Sequence, residues 1–364
     1  MSIITSIATA VAPYEYKQSE LSKFMQEICK FEGEQERKMQ ILYERSGIQT
    51  RYSVIEDYKL LPQNRKFYPP TPDMEPFPNL EKRMEMYFQE APKLCKEAIL
   101  KCLEGMEISA ITHLITVSCT GMSAPGLDIQ LIQELDMQPD INRTSVNFMG
   151  CYAAIHGLKQ ADYICRSNPN AQVLVICVEL CSLHFQKDLD MDAIASNLLF
   201  SDGAAAVLVQ SESKKHKGLN IQDFYSYIEL SGKSDMAWHL SSKGFLMTLS
   251  AYIPALIEKG FKTLVMKALQ QMNLNKKDIH HWAIHPGGRK ILEVIFKQLE
   301  FTNGSLDSSY DILKNYGNMS SPTVLFVLKD IWDKKLDWNK NEKIFGAAFG
   351  PGLTMETFVL ESTK

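Results

Sequence analysis

Three residues of this chain have both the side chains and the local settings for acyl-transfer chemistry. Cys151 follows Gly150, where the apolar run RTSVNFMGC (143–151) gives way to a helix-like segment, CYAAIHGLKQADYIC (151–165). Glycine tolerates the tight turn that such a junction needs. A thiol at that point would face unpaired backbone N–H groups and the positive end of a helix dipole, which lower its pKa and make it a good acyl acceptor. Taken alone, Cys151 reads equally well as a buried structural cysteine. His285 ends the apolar run HHWAIH (280–285) and precedes Pro286, Gly287 and Gly288. A histidine there is aimed out of a sheet edge, where ligand sites gather in α/β folds. His280 and His281 read as surface or packing residues. Asn318 lies in NYGNMSSPT (315–323), a loop that opens a helix. By themselves, Asn318, Ser320 and Ser321 read as helix N-caps. Together, the thiol, imidazole and carboxamide are the parts for decarboxylative condensation. The thiolate accepts an acyl group, and the His N–H and Asn amide offer donors to an enolate oxygen without a metal.

The elements that must position these residues alternate along the chain. Helical spacing covers residues 17–46 and 80–106, with an irregular proline-rich stretch, 69–78, between them. Strand-like runs follow at 111–119, 143–151, 171–180 and 204–210, with helices at 126–135 and 151–165. The N-terminal MSIITSIATAVAP also reads as a strand rather than a leader. The polar stretch SESKKHKG (211–218) marks a boundary, so the expected halves are residues 1–212 and 213–364. The second half shows helices near 251–272, 288–299 and 322–333, and strands at 280–285, 343–349 and 356–361. The strands are apolar throughout, which predicts parallel strands covered on both faces in an α/β fold.

Bulk properties narrow the class. A length of 364 residues exceeds what one core usually serves. A formal net charge of −4 gives no global basic field, so nucleic acid and anionic membranes are not expected partners. No apolar stretch approaches a membrane span. Eight cysteines without a C-x-x-C pair, several inside apolar runs, fit reduced thiols in the cytoplasm. Cys177, Cys181 and His184 loosely resemble a metal triad, but the strand period would not aim them at one ion, so no metal is expected. FGPG (349–352) precedes a strand rather than a helix, which argues against a phosphate cradle.

Several segments resemble the type III polyketide synthases, the chalcone-synthase-like members of the thiolase fold. They are MGC (149–151), LLFSDGAAA (198–206), IHPGG (284–288), YGNMSS (316–321) and FGPGLTMET (349–357), in the family's order and spacing over most of the chain. The resemblance implies a thiolase-like αβαβα five-layer fold of two related halves. It implies iterative condensation of malonyl-coenzyme A units onto an acyl starter held on Cys151, then release or cyclisation. His285 would pair with the thiolate and polarise the thioester, and Asn318 would share the oxyanion. Phe200 would be the gatekeeper between tunnel and cavity. Ser320 would line the cavity, and Phe349, Gly350, Pro351 and Gly352 would shape it. No cofactor is implied beyond coenzyme A thioesters as substrates. A homodimer is implied, with the loop around Ala124 reaching into the partner's site.

The chain also departs from the plant pattern. Lys38 and Arg45 match basic residues that hold coenzyme A phosphates, but Ile41 stands where a third is expected, so an acyl carrier protein is an alternative donor. Cys119 replaces a threonine, Met247 a phenylalanine and Trp238 a common glycine, and Ala348 stands at the first glycine of the terminal loop. Such a cavity suits a hydrophobic, fatty starter. The stretch MAWHL (236–240) is closer to bacterial than to plant members. A ketoacyl-acyl-carrier-protein synthase of the third type shares the fold, but His-Pro-Gly-Gly and the FGPG loop argue against it. A non-catalytic homologue is disfavoured because all three site residues are present.

Overall fold

The computed structural model describes residues 2–188, 191–211, 217–250 and 253–363. The chain opens with strands β1 (Ser2–Val11) and β2 (Tyr14–Lys17), then helices α1 (Gln18–Cys29) and α2 (Gly33–Arg45). Strand β3 (Thr50–Ser53) pairs back onto β2. Next come α3 (Leu80–Cys102), β4 (His113–Ser118), α4 (Leu127–Glu134), β5 (Asn142–Asn147), α5 (Ala153–Ser167), β6 (Gln172–Leu180), α6 (Met191–Leu199) and β7 (Asp202–Ser211). The rest comprises β8 (Leu219–Ile228), the hairpin β9 (Met236–Ser241) and β10 (Gly244–Leu249), α7 (Ile253–Gln271), β11 (His281–Ile284), α8 (Arg289–Gln298), α9 (Asp307–Tyr316), α10 (Thr323–Lys334), β12 (Lys343–Gly350) and β13 (Thr354–Ser362).

Nine strands form one sheet in the order β11-β12-β13-β8-β1-β7-β6-β4-β5. Its two parts meet at β1 and β8, which pair over only Ser2–Ile4 and Leu219–Ile221. Side chains alternate across each strand, and here both faces are apolar. In β6, Leu174, Ile176 and Val178 join a core with α3, whereas Val173, Val175 and Cys177 join one with α5 and α10. In the other part, Trp282, Ile284 and Phe345 pack with α7 and α8, whereas Ala283, Ile344 and Phe358 face the α5–α10 core. Helices α5 and α10 therefore form a buried middle layer, and the order outward on each side is sheet, then helix. This is the αβαβα thiolase-like fold. Polar ties cross it: Lys159 of α5 donates to Glu356 of β13 and to Ser226 of β8.

Most strands and helices lie within a few residues of their predicted places, but several expectations need correction. The sheet is mixed. β4 runs parallel to β5 and β6, and β11 to β12, whereas the pairings of β1 with β7, β6 with β7, β8 with β13 and β12 with β13 are antiparallel. Continuous apolar runs report burial on both faces, not strand direction. The strands are also not apolar throughout, since edge strand β5 is mostly exposed and polar. The single helix read over 17–46 is two, broken where Lys30 and Gly33 adopt left-handed backbone. Helix α3 stops at Cys102 rather than 106, and β5 ends at Asn147 rather than 151. Strands β2, β3 and β8, the β9–β10 hairpin and helices α6 and α9 come in addition to the expected elements. The boundary stretch 211–218 falls largely outside the described residues, as does the expected start of a helix at 251. Among the described residues, no helix is long and apolar enough to cross a membrane.

Helix α5 lies close on the sheet. A Cβ added at Gly157 would stand 2.8 Å from Val175 Cγ1 and 3.1 Å from Val117 Cγ2. A Gly157→Val variant is expected to lose about 1–3 kcal/mol of stability by overpacking, seen as a lower melting temperature. An unchanged melting temperature would mean that the layer has slack.

Candidate active site

Cys151 sits in the turn between β5 and α5. Phe148 and Gly150 both have left-handed backbone there, with φ of 61° and 84°. Gly150 is required twice over, because a Cβ on it would also lie 2.3 Å from Pro351 Cδ. A Cβ on Gly350 would come within 2.6 Å of the Tyr152 ring and 3.3 Å of the Cys151 nitrogen. The FGPG loop is thus laid directly on the turn that carries Cys151, and two glycines permit the contact.

His285 leaves the end of β11. Its N–H donates to Ala347 O at 2.8 Å, and its carbonyl accepts from Gly287 N at 2.9 Å. The ring is 1% exposed, and neither ring nitrogen has a hydrogen-bond partner among the described residues. Asn318 is held from both sides of its backbone: its N–H donates to Leu199 O at 3.0 Å, and its carbonyl accepts from Ser201 N at 2.9 Å. This bridge sets Phe200 beside it. Asn318 is not the N-cap of α10. That position is Pro322, and Asn318 Oδ1 instead accepts from Ser320 N at 2.8 Å. The Cys151 thiol lies 4.0 Å from the same oxygen.

These groups open onto one cavity of about 1220 Å³. Cys119, Cys151, Phe200, Met247, His285, Asn318, Ser320, Phe349 and Pro351 all line it. Gly350 and Gly352 support the loop without lining the space. Lys38 and Arg45 lie on the exposed face of α2, where Lys38 pairs with Glu34, and Tyr43 of the same helix lines the cavity. Cys177, Cys181 and His184 do not converge. Cys177 is buried in the middle-layer core. Both His184 ring nitrogens are engaged, with Thr120 O at 2.7 Å and Phe245 N at 3.0 Å.

Burial dominates the electrostatics. It pushes the Cys151 thiol up to about 11 and holds the His285 imidazole down to about 3. Burial acts against the lowered thiol pKa expected at a helix terminus, and α5 begins only at Ala153. A neutral imidazole can still donate one N–H and accept a proton on its other nitrogen. A buried thiol, an unpartnered imidazole and a carboxamide can together accept an acyl group and bind a developing oxyanion.

Sequence reading missed the frame around the site. Glu179 accepts from Cys119 N at 2.9 Å, Cys119 Sγ at 3.1 Å, Thr120 Oγ1 at 2.8 Å and Ser321 Oγ at 2.5 Å. It ties β6 to the loops carrying Cys119 and Ser320. Its signal was a lone carboxylate ending the apolar run AQVLVICVEL. Asp202, just after Phe200, accepts from Val54 N, Ser182 N and Ser182 Oγ.

Residues 1–213 match the family model for the N-terminal domain of chalcone and stilbene synthases, and residues 225–364 match the one for their C-terminal domain. Among solved structures, the chain is similar to PKS-I from the brown alga Ectocarpus siliculosus. The TM-score is 0.91 and the identity 26%, covering 99% of this chain and 98% of that one. It is similar to the C-terminal type III polyketide synthase domain of Steely1, a type I/III hybrid from Dictyostelium. There the TM-score is again 0.91 with 26% identity, covering 100% and 99%. Neither relative is bacterial, so these matches lend no support to the bacterial affinity read from MAWHL.

Burial raises the Asp202 carboxyl from 3.8 to about 6, against the hydrogen bonds from Ser182 and Val54. The folded carboxyl holds its proton more tightly than the unfolded one. Folding therefore takes up a proton in this window, and stability falls as pH rises through it, by about 3 kcal/mol in all. Urea unfolding of wild type and Asp202→Asn should show a stability difference that shifts by that amount between about pH 4 and pH 7. A difference independent of pH would rule out this titration.

Proposed function

Because the chain belongs to the chalcone and stilbene synthase family and is a type III polyketide synthase, we propose that Cys151, His285 and Asn318 carry its condensation. The observation that supports this most is that the three groups share one cavity, with both imidazole nitrogens unpartnered among the described residues.

In the proposed sequence, the Cys151 thiol passes its proton to His285 and attacks the carbonyl of an acyl-coenzyme A. A thioester to Cys151 forms, and free coenzyme A leaves. Ionising the pair together replaces two isolated buried charges by one neutralised pair, which offsets the burial that keeps each group neutral alone. Malonyl-coenzyme A then loses carbon dioxide. The His285 N–H and the Asn318 amide hold the resulting enolate oxygen. The enolate carbon attacks the Cys151 thioester, a carbon–carbon bond forms and the Cys151 thiolate leaves; the lengthened chain, now a coenzyme A thioester, is passed back to Cys151 with release of that coenzyme A before the next cycle. Phe200, fixed beside Asn318, supplies a non-donating wall that favours loss of the charged carboxylate. Cys119, Met247 and Ser320 contact the growing chain, and Phe349–Gly352 shape its space.

Coenzyme A thioesters are the proposed donors. Lys38 and Arg45 would meet the phosphates on the exposed face of the helix whose Tyr43 lines the cavity. A homodimer in the cytoplasm is proposed, with the exposed loop around Ala124 and the edge strand β5 as the surface toward the partner. The halves 1–212 and 213–364 would each contribute: the first the nucleophile, the second the imidazole and the amide.

Malonyl-coenzyme A with a panel of acyl-coenzyme A starters should give pyrones or phenolic rings carrying two or more extensions by mass spectrometry, and none with Cys151→Ala. A single condensation per starter would contradict the iterative reading. Iodoacetamide labelling of Cys151 should slow about tenfold or more at neutral pH in His285→Ala. In that variant the rate should climb with pH toward the thiol's burial-raised value of about 11. Equal neutral-pH rates in both proteins would remove His285 from thiol activation.

A further inference from the structure

We propose that Arg51 is a positioning residue for the loss of carbon dioxide: from β3 it holds Phe200 and Asn318 in place against each other. This deepens the reading above and rests on Asn318 as an oxyanion donor.

The end of α6 is where the hold is made. A helix leaves its last four carbonyls without partners inside it, and α6 ends at Leu199, directly before Phe200. Each of the four is taken. Ser196 O accepts from Phe200 N at 3.1 Å, and Leu199 O from Asn318 N at 3.0 Å. Asn197 O accepts from Arg51 Nη1 at 2.7 Å, and Leu198 O from Gln18 Nε2 at 2.9 Å. The same Arg51 nitrogen donates to Phe200 O at 2.7 Å, and Arg51 Nε donates to Gln18 Oε1 at 2.9 Å. Gln18 and Arg51 thus close one cap over the turn that carries Phe200. A cation there also meets the negative end of the helix dipole.

The stem of the same side chain fixes Asn318. Gly317 precedes it with φ of 70°, and a Cβ on Gly317 would stand 3.0 Å from Arg51 Cγ and 3.1 Å from Leu199 O. Arg51 is therefore packed against the backbone that delivers Asn318. Tyr52 adds a second fastening. Its N–H donates to Ser201 Oγ at 2.8 Å, that hydroxyl donates to Tyr52 O at 3.0 Å, and its ring stacks on Tyr316 at 5.7 Å. Two neighbours on β3 thus grip both sides of the Phe200–Asn318 bridge. Arg51 borders the cavity and is 6% exposed, but its hydrogen bonds go to oxygens of the protein. A planar guanidinium can span two carbonyls and an amide oxygen at once, whereas an ammonium presents its donors from one point.

In the proposed sequence, loading of Cys151 uses the thiol and His285, whereas Asn318 and Phe200 act when malonyl-coenzyme A loses carbon dioxide. Disturbing Arg51 should therefore damage one half-reaction and spare the other.

The test reads the two separately. Release of carbon dioxide is measured with malonyl-coenzyme A alone, and acylation of Cys151 is followed by intact mass with the acyl-coenzyme A panel and no malonyl-coenzyme A. In Arg51→Lys, kcat for carbon dioxide release should fall about tenfold or more, with KM within about twofold of wild type. Acylation should stay within about twofold of the wild-type rate. Gln18→Met, which removes the oxygen that holds Arg51 Nε and the tie to Leu198, is the milder second variant and should show the same split. Retained acylation shows that a variant is folded. Carbon dioxide release and acylation falling together in both variants, a raised KM at unchanged kcat, or no change in either variant would overturn the proposal. Asn318→Ala separates this outcome from the reading beneath it. Wild-type carbon dioxide release in Asn318→Ala would count against the condensation reading, whereas a loss there with none in Arg51→Lys would count against Arg51 alone.

Discussion

The burial of α5 and α10 as a shared layer between the two parts of the sheet is the constraint on which the site depends. Each helix is apolar on more than one side because each must face sheet on both. Cys151 lies just before α5, and Asn318 lies in the loop that leads into α10. His285 arrives from β11, in the same sheet. Packing that hides these helices therefore also brings their leading turns together. Gly157, which admits the close approach of α5 to the sheet, is as much a part of the site's geometry as the residues that touch substrate.

The same burial sets the electrostatic problem that the enzyme must solve. Thiol and imidazole each sit where charge is costly, so each is neutral by itself. Around them the structure keeps a buried polar frame. Glu179 alone gathers the end of β4 and two loops through five accepted hydrogen bonds, and Asp202 holds Val54, just past β3, and Ser182, two residues past β6. Buried carboxylates so fully bonded fix loop positions closely, because leaving any donor unpaired would be costly.

The cavity is thus built of two kinds of wall. Near the nucleophile it is polar and fixed by hydrogen bonds. Farther out it mixes Leu21, Phe24 and Met25 of α1 with Phe77 and Phe185 and with the charged Glu75 and Lys187.

Much was legible in the sequence, for physical reasons. Burial on both sheet faces writes itself as continuous apolar runs, so most strands and their approximate ends could be read. Gly150, the His-Pro-Gly-Gly turn and the Asn318 loop mark places where backbone must do something unusual, and reactive groups stood beside each. Strand direction could not be read, because a residue buried on both faces is equally apolar in parallel and antiparallel pairing. The hairpin β9–β10 was missed because its polar and aromatic residues take their places only against His184 and Cys119, far away in the chain. The sequence shows a helix start beside Cys151 but not the depth of burial over it, which pushes the thiol the other way. The sequence by itself determined the chemical groups, their order and the family to which they belong. The tertiary structure alone decided the burial of thiol and imidazole and the frame of Glu179 and Asp202, because each depends on contacts between segments that the chain keeps far apart.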